Sequence, residues 1–174
     1  LVAYYLRNFQ IEKYIKKLSE RELKYWNNLK SSKFLNFEIV AIEHSLTMKI
    51  DDYWIGGRID AIVKNNNDYY ILDYKTGGVN SDKTYDFQTM VYLLLCDEMF
   101  KEYKNDGSLT FVYLDLKNNK EVQIKFDEKL KEEYLDRIKT ACAGMEKVSL
   151  DGVKHSVCTD KNCPYSKLCM VSKY

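Results

Sequence analysis

The chain lacks any long apolar run. Nowhere do its 174 residues approach the ~18 consecutive apolar residues of a membrane helix, so no membrane partner is expected. No secretory leader is expected. It opens at Leu1 rather than methionine, directly in helical sequence, and reads as a piece of a longer protein or a trimmed form of one. Neither charge is in excess: 27 Lys and Arg face 26 Asp and Glu, for a net charge of +1. The broad basic excess of many nucleic-acid binders is therefore missing, and any contact with phosphates must come from local patches. Five cysteines, an odd number unevenly spread, do not make a disulfide framework and point to a reducing, cytoplasmic setting. The single proline, Pro164, falls in an irregular tail. What is present, 45% hydrophobic and 30% charged residues, is an ordinary globular balance, and the length suits one domain, residues 1–174.

The chain is organised around Tyr53 to Gly78. Asn65-Asn66-Asn67-Asp68 is a turn signal between arms rich in Ile, Val and Tyr, so the stretch reads as a β-hairpin. Pairing Lys64 with Tyr69 and counting back puts Asp60 opposite Asp73, with Cβ atoms about 4.5–5.5 Å apart. Alternation places Lys75 on the face of Asp73. Residues 36–50 form a preceding strand joined by an Asp51-Asp52 turn. Pairing Ile50 with Tyr53 then sets Glu43 opposite Asp60. A row of three carboxylates, Glu43, Asp60 and Asp73, crosses neighbouring strands and calls for a compensating cation, most simply a hard divalent ion with oxygen ligands. Val40, Ile42, His44, Leu46, Met48, Ile50, Tyr53, Ile55, Ile59, Ala61, Val63, Tyr70 and Leu72 form the opposite, core-facing side, where His44 reads as a core or rim histidine. A bulge at Gly56-Gly57 would turn Glu43 to the other face.

Residues 1–30 read as one helix within an N-terminal segment 1–35, with Lys13, Lys16, Lys17, Arg21 and Lys24 as a basic side. That side is either a solvated face or a contact for a nucleic-acid backbone. After a flexible loop at 77–83, residues 84–104 read as a helix apolar nearly all round, with Gln88 and Tyr92 on one face. Residues 108–126 form a second hairpin, in which Asp115 reads as a solvent-side carboxylate. Asp127 caps a helix over 128–147, with Gly144 near its fraying end. The segment from 36 to 147 is the core, and 148–174 a cysteine-bearing tail.

Gly57-Arg58-Ile59-Asp60, then Asp73-Tyr74-Lys75-Thr76-Gly77, then Gln88-Thr89-Met90-Val91-Tyr92 resemble the PD-(D/E)XK nuclease signature of the RecB and AddB type with its QxxxY motif. The resemblance implies a mixed α/β fold: a restriction-endonuclease-like core whose mostly antiparallel or mixed sheet is flanked by helices. It implies hydrolysis of DNA by an exonuclease-type domain using Mg²⁺ or Mn²⁺. The metal would be held by Asp60, Asp73, the backbone carbonyl of Tyr74 and, directly or through water, Glu43. Lys75, Gln88 and Tyr92 complete the catalytic set. Arg58 would meet a phosphate or neutralise Glu43, and Glu43 could equally be a structural partner of Arg58. A helicase domain or subunit is the implied partner, in DNA repair or recombination. A nuclease-shaped module that grips DNA ends or a subunit without efficient cleavage is the alternative.

Cys163-Pro164-Tyr165-Ser166-Lys167-Leu168-Cys169, with Cys158 before it, resembles the closing segment of AddB-type domains. There, three late cysteines and one early cysteine hold a [4Fe–4S] cluster. Here the first gap is four residues rather than two and no early cysteine exists; Cys96 and Cys142 read as buried small residues. Three readings stay open: a cluster in this chain, a cluster or its remnant in a longer parent, or no cluster, with at most an adventitious zinc site involving His155. The upstream histidine that RecB-type domains commonly carry is absent from residues 1–35.

Overall fold

The computed structural model describes residues 2–79, 82–101 and 103–147. Cys158, Cys163 and Cys169 lie outside them. By its contacts the chain divides into residues 1–138 and 139–174; of the second unit only the end of the last helix, up to Lys147, is described.

The N-terminal segment is three short helices rather than one: α1 (Val2–Leu6), α2 (Glu12–Ile15) and α3 (Glu20–Lys30). Two local features break it. Asn8 adopts a left-handed φ of 58°, which helical backbone cannot continue through. Ser19 closes a capping box with Glu22: the Ser19 N–H donates to Glu22 Oε2 at 2.8 Å, and the Glu22 N–H donates to Ser19 Oγ at 3.4 Å. A capping box specifies a helix start, so a separate helix begins there.

A five-stranded mixed sheet follows, in the order β1 (Glu38–Ile50), β2 (Tyr53–Asn65), β3 (Asp68–Lys75), β4 (Leu109–Asp115), β5 (Lys120–Lys125). All neighbours are antiparallel except β3 and β4. The parallel step uses the crossover that carries α4 (Phe87–Met99) and α5 (Tyr103–Asp106), and α6 (Glu128–Glu146) closes the described chain. Ile50 pairs with Tyr53 and Lys64 with Tyr69, as the turn residues require: Asp51 and Asn66 hold the positive φ of the two tight turns. Asn65 pairs with Asp68 as well, so the second turn has two central residues rather than four. Helix α4 is shorter than the apolar pattern suggests. It starts at the cap Asp86, whose side chain accepts the Gln88 N–H. Asp127 caps α6 by accepting the Leu130 N–H at 2.8 Å, and Gly144 lies in the last turn of that helix.

Both faces of the sheet are covered. Ala61, Val63, Leu72, Val112 and Leu114 pack with Leu6, Ile11, Trp26, Leu29 and Phe34 from the N-terminal segment. On the opposite face Phe111 meets the Tyr92 ring, with centroids 6.2 Å apart, and Tyr113 shares a 2.8 Å hydrogen bond with Thr89 of α4. Strand β4, between β3 and β5 and parallel to β3, is buried along its whole length, as a strand covered on both sides must be. The expected division into one core face and one site face is therefore incomplete: Ile62 and Ile71, on the side of Asp73, are also fully buried.

Asp115 is not on the solvent side. It is 3% exposed. Oδ1 accepts the N–H groups of Lys117 and Asn118, and Oδ2 accepts the Val79 N–H and the Asn118 amide, at 2.7–3.1 Å. Alternation put it on a face; the turn after it curls its donors over it. A second buried carboxylate, Asp97 at the end of α4, takes a hydrogen bond from Tyr103 and a 2.8 Å ion pair from Lys131, tying α4 to α5 and α6.

Candidate active site

The β2–β3 ladder runs from Asn65↔Asp68 to Ala61↔Leu72 and stops one step short of Asp60 and Asp73. At that step the side chain takes over from the backbone: Asp60 Oδ2 accepts the Tyr74 N–H at 3.1 Å. Asp73 is buried, and Lys75 Nζ, two residues on and on the same face, stands 2.8 Å from its Oδ2. Gln88, in the first turn of α4, spans the pair. Its Nε2 donates to Asp73 Oδ1 at 2.7 Å, and its Oε1 accepts from Lys75 Nζ at 3.0 Å. A carboxylate can only accept and an ammonium only donate, so this is the single amide orientation the site permits. The Lys75 ammonium also lies over the Tyr113 ring, 5.5 Å from its centroid.

The environment sets the charges. Burial, first, raises the Asp60 carboxyl above its ordinary range, and the charges of Asp73 and Glu43 push the same way. The Tyr74 N–H and Lys75 oppose them without cancelling them. The buried Tyr74 phenol is raised as well, by burial and then by both aspartates. Asp73 Oδ2 accepts no hydrogen bond: its contact with Lys75 has the distance of an ion pair but not hydrogen-bond geometry. A buried carboxylate oxygen that accepts no hydrogen bond, beside a second carboxyl raised by burial and then by like charge, is the donor set that a hard divalent cation satisfies. Asp60 and Asp73 fit such an ion. A raised value in the folded state favours folding below the ordinary carboxylate range, and that contribution is lost as pH rises through the value Asp60 has when folded. Asp60→Asn, which keeps an acceptor for Tyr74, is therefore expected to raise Tm by about 2 °C at pH 8 in chelator and by nothing at pH 4. Thermal melts at the two pH values check this; a lowered Tm at pH 8 contradicts it.

The Glu43 carboxylate is not gathered with them. Glu43 is bracketed by the pairs Ile42↔Ala61 and His44↔Ile59, so it lies across from Asp60 as the register requires. Its backbone, however, is left-handed, with φ of 48°. Its carboxylate pairs with Arg58 at 3.0 Å and Arg7 at 3.3 Å. Among the described residues no three His, Cys, Asp or Glu side chains gather closely enough to hold a metal. Two guanidiniums already satisfy this carboxylate. The register slip lies between Ile39 and Ala41, not at Gly56-Gly57, which pair in step with Leu46 and Thr47.

Gly57 has another use. A Cβ there would overlap the ring of Tyr92, so the bare backbone lets the ring lie flat on β2, where its hydroxyl donates to the Arg58 carbonyl at 2.6 Å. Gly57 thus faces α4, whereas Ala61, of the same parity, faces the N-terminal helices. The alternation breaks between them, next to the left-handed Glu43. The expected grouping of Ile55 and Ile59 with Ala61 on one face fails for that reason. Tyr92 acts on the strand that carries Asp60. Gly57→Ala is expected to cost about 1–3 kcal/mol by overpacking, and less in a Tyr92→Ala background. Denaturant melts of the double-mutant cycle test it, and additive losses would contradict the contact.

Sequence reasoning missed Asp86, which orients Gln88 and binds Lys83 at 2.9 Å, although an aspartate just before an apolar helical run is a readable cap. It also missed Arg7, whose role no local signal gives away.

In structure the chain is similar to the "Putative exonuclease" from Eubacterium rectale, at 11% identity and a TM-score of 0.52, over 97% of this chain and 76% of that one. The crystal structure of SSO0001 is similar at 20% identity, with a TM-score of 0.43, over 86% of this chain and 68% of that one. No curated protein matches significantly in sequence. The mixed sheet flanked by helices is that of PD-(D/E)XK nuclease structures. The family model of the PD-(D/E)XK nuclease superfamily matches residues 5–170, nearly the whole sequence, and the chain belongs to that superfamily.

Proposed function

We propose that the chain is a DNA exonuclease domain of RecB/AddB type, dependent on Mg²⁺ or Mn²⁺ and working beside a helicase domain or subunit in repair or recombination in the cytoplasm. The observation that carries the reading is the closed set Asp60, Asp73, Lys75 and Gln88, in which one buried aspartate oxygen is left without a donor. Asp60 and Asp73, with the Tyr74 carbonyl, would hold the cation. When bound, it supplies Lewis acidity and a water of lowered pKa.

The chain's own groups do the rest. Gln88 locks Asp73 and Lys75 at a fixed separation, so neither reorganises as charge develops. Lys75 presents its ammonium where negative charge grows on the phosphoryl oxygens and orients the attacking water. Tyr92 holds β2 through the Arg58 carbonyl and so fixes the position of Asp60. Arg58, exposed and paired with Glu43, is placed to exchange that carboxylate for a phosphate of the substrate. The test is digestion of linear and covalently closed DNA with and without Mn²⁺. Metal-dependent loss of the linear form alone is expected; equal loss of the closed form, or loss in chelator, contradicts the reading. The alternative, a module that grips DNA ends without efficient cleavage, is favoured by the engagement of Glu43 with two arginines; metal-independent binding without cleavage would select it. For any longer protein that contains this chain, a [4Fe–4S] cluster on Cys158, Cys163, Cys169 and a fourth thiolate from outside the given sequence is proposed, and iron and sulfide analysis of anaerobically prepared protein tests it.

A further inference from the structure

The chain's positive charge is not spread evenly. Residues 1–30 hold seven basic and three acidic side chains, while the remaining 144 residues carry a net charge of −3. The folded N-terminal segment concentrates this charge beside unusually exposed aromatic rings. Tyr4, Phe9 and Tyr14 are 55%, 54% and 43% exposed, yet they cluster: the Tyr4 centroid lies 5.4 Å from Phe9 and 6.3 Å from Tyr14. The left-handed Asn8 reverses the chain so that Phe9 comes back against Tyr4. Two concavities open on this surface and share Lys17. One, about 350 Å³, is walled by Tyr4, Tyr14, Leu18 and Glu22. The other, about 530 Å³, is lined by Gln10, Glu12, Lys13, Lys16 and Lys17. Among the described residues these three lysines form no ion pair, and Lys13 lies 4.9 Å from the centre of the Tyr14 ring.

From this geometry we infer that the face of Tyr4, Phe9 and Tyr14 with Lys13, Lys16 and Lys17 is a docking subsite for single-stranded nucleic acid. Stacking of bases on exposed rings, flanked by cations for the phosphates, is the chemistry of single-strand binding. A base stacks in the ring-walled hollow, and its phosphate meets the neighbouring lysines. Duplex DNA, whose bases are already stacked, gains only the lysines. One link runs from the subsite to β1: Arg7, one residue before Asn8, pairs with Glu43 and donates to the Ile42 carbonyl. The inference rests on the nuclease reading for its substrate, and it goes beyond it in naming the strand state and the residues that select it.

The test measures anisotropy of a fluorescent oligothymidylate of about 15 nucleotides, and of a duplex of the same length, in chelator so that nothing is cut. Tyr4→Ala/Tyr14→Ala is expected to lose about tenfold or more in single-strand affinity and less than about twofold for duplex. Tyr4→Phe/Tyr14→Phe should retain single-strand affinity, since rings rather than hydroxyls stack. Lys13→Gln/Lys16→Gln/Lys17→Gln should lower the salt slope by about 2. Circular dichroism establishes that each variant is folded, and the exposed lysine variant serves if the tyrosine variant is not. Unchanged single-strand affinity, an equal loss for duplex, or a loss seen only on anionic vesicles would overturn the inference. Cleavage in Mn²⁺ is scored separately: a raised KM with unchanged kcat supports the subsite, whereas absence of cleavage in the parent protein sinks the catalytic reading and leaves the binding result to judge the surface.

Discussion

Lys75→Ala is expected to lower the rate of linear DNA cleavage by about 10²–10³-fold at saturating metal, with DNA affinity changed by less than about twofold. The ammonium is held by two partners, Asp73 and Gln88, and rests on the Tyr113 ring. Its position is therefore fixed before substrate arrives, and a fixed charge at a developing anion acts mainly on kcat. Gln88→Ala should cost less, because it loosens the lysine without removing it. Lys75→Arg should not rescue, since a planar guanidinium cannot occupy the same point contact. Single-turnover cleavage of end-labelled DNA gives the rates. Equal rates for Lys75→Ala and the parent protein would remove Lys75 from the chemistry.

Asp115→Ala is expected to destabilise the fold by about 3 kcal/mol, a fall in Tm of about 6–12 °C at this chain length. Its carboxylate takes four hydrogen bonds, and alanine leaves three backbone N–H groups and one amide without their acceptor. The group also sits beside Lys75 in the sheet: Asp115 is the β4 partner of Lys75, and the Leu116 N–H donates to the Lys75 carbonyl at 2.9 Å. Burial alone would raise the Asp115 carboxyl. The Asn118 side chain, with the N–H groups of Asn118, Val79 and Lys117, outweighs it and holds the group below the usual carboxylate range. The sign is opposite to that of Asp60. Asp115 contributes stability above the ordinary carboxylate value and loses it as pH falls through its depressed one. Denaturant melts between pH 7 and pH 3 should show the parent losing stability into acid and Asp115→Ala losing less. Matching pH profiles would contradict this role of the turn.

The strand register was legible because short polar turns fix it. Asp51 and Asn66 accept positive φ, and once Ile50 meets Tyr53 and Lys64 meets Tyr69 the remaining pairs come by counting. Asp73, Lys75 and Gln88 could be brought together for the same reason: two are on one strand face and the third opens the next helix. Counting fails where backbone leaves the strand region. The left-handed Glu43 and the break in alternation between Gly57 and Ala61 come from tertiary demands, namely the Tyr92 ring on one side and two arginines on the other. Asp115 was misplaced because alternation names a face but not what the next turn folds over it. The N-terminal segment was legible in its charge and not in its breaks, although Ser19 and Glu22 spell a capping box that helical periodicity concealed.

The central claim, that Asp60 and Asp73 together hold a divalent cation, is tested most directly by titrating Mn²⁺ into the metal-free protein and into Asp60→Asn and Asp73→Asn by calorimetry at pH 8. The account predicts saturable binding by the parent, strengthening as pH rises through the raised value of Asp60, and its loss in either variant. Binding of equal strength by all three proteins would contradict it.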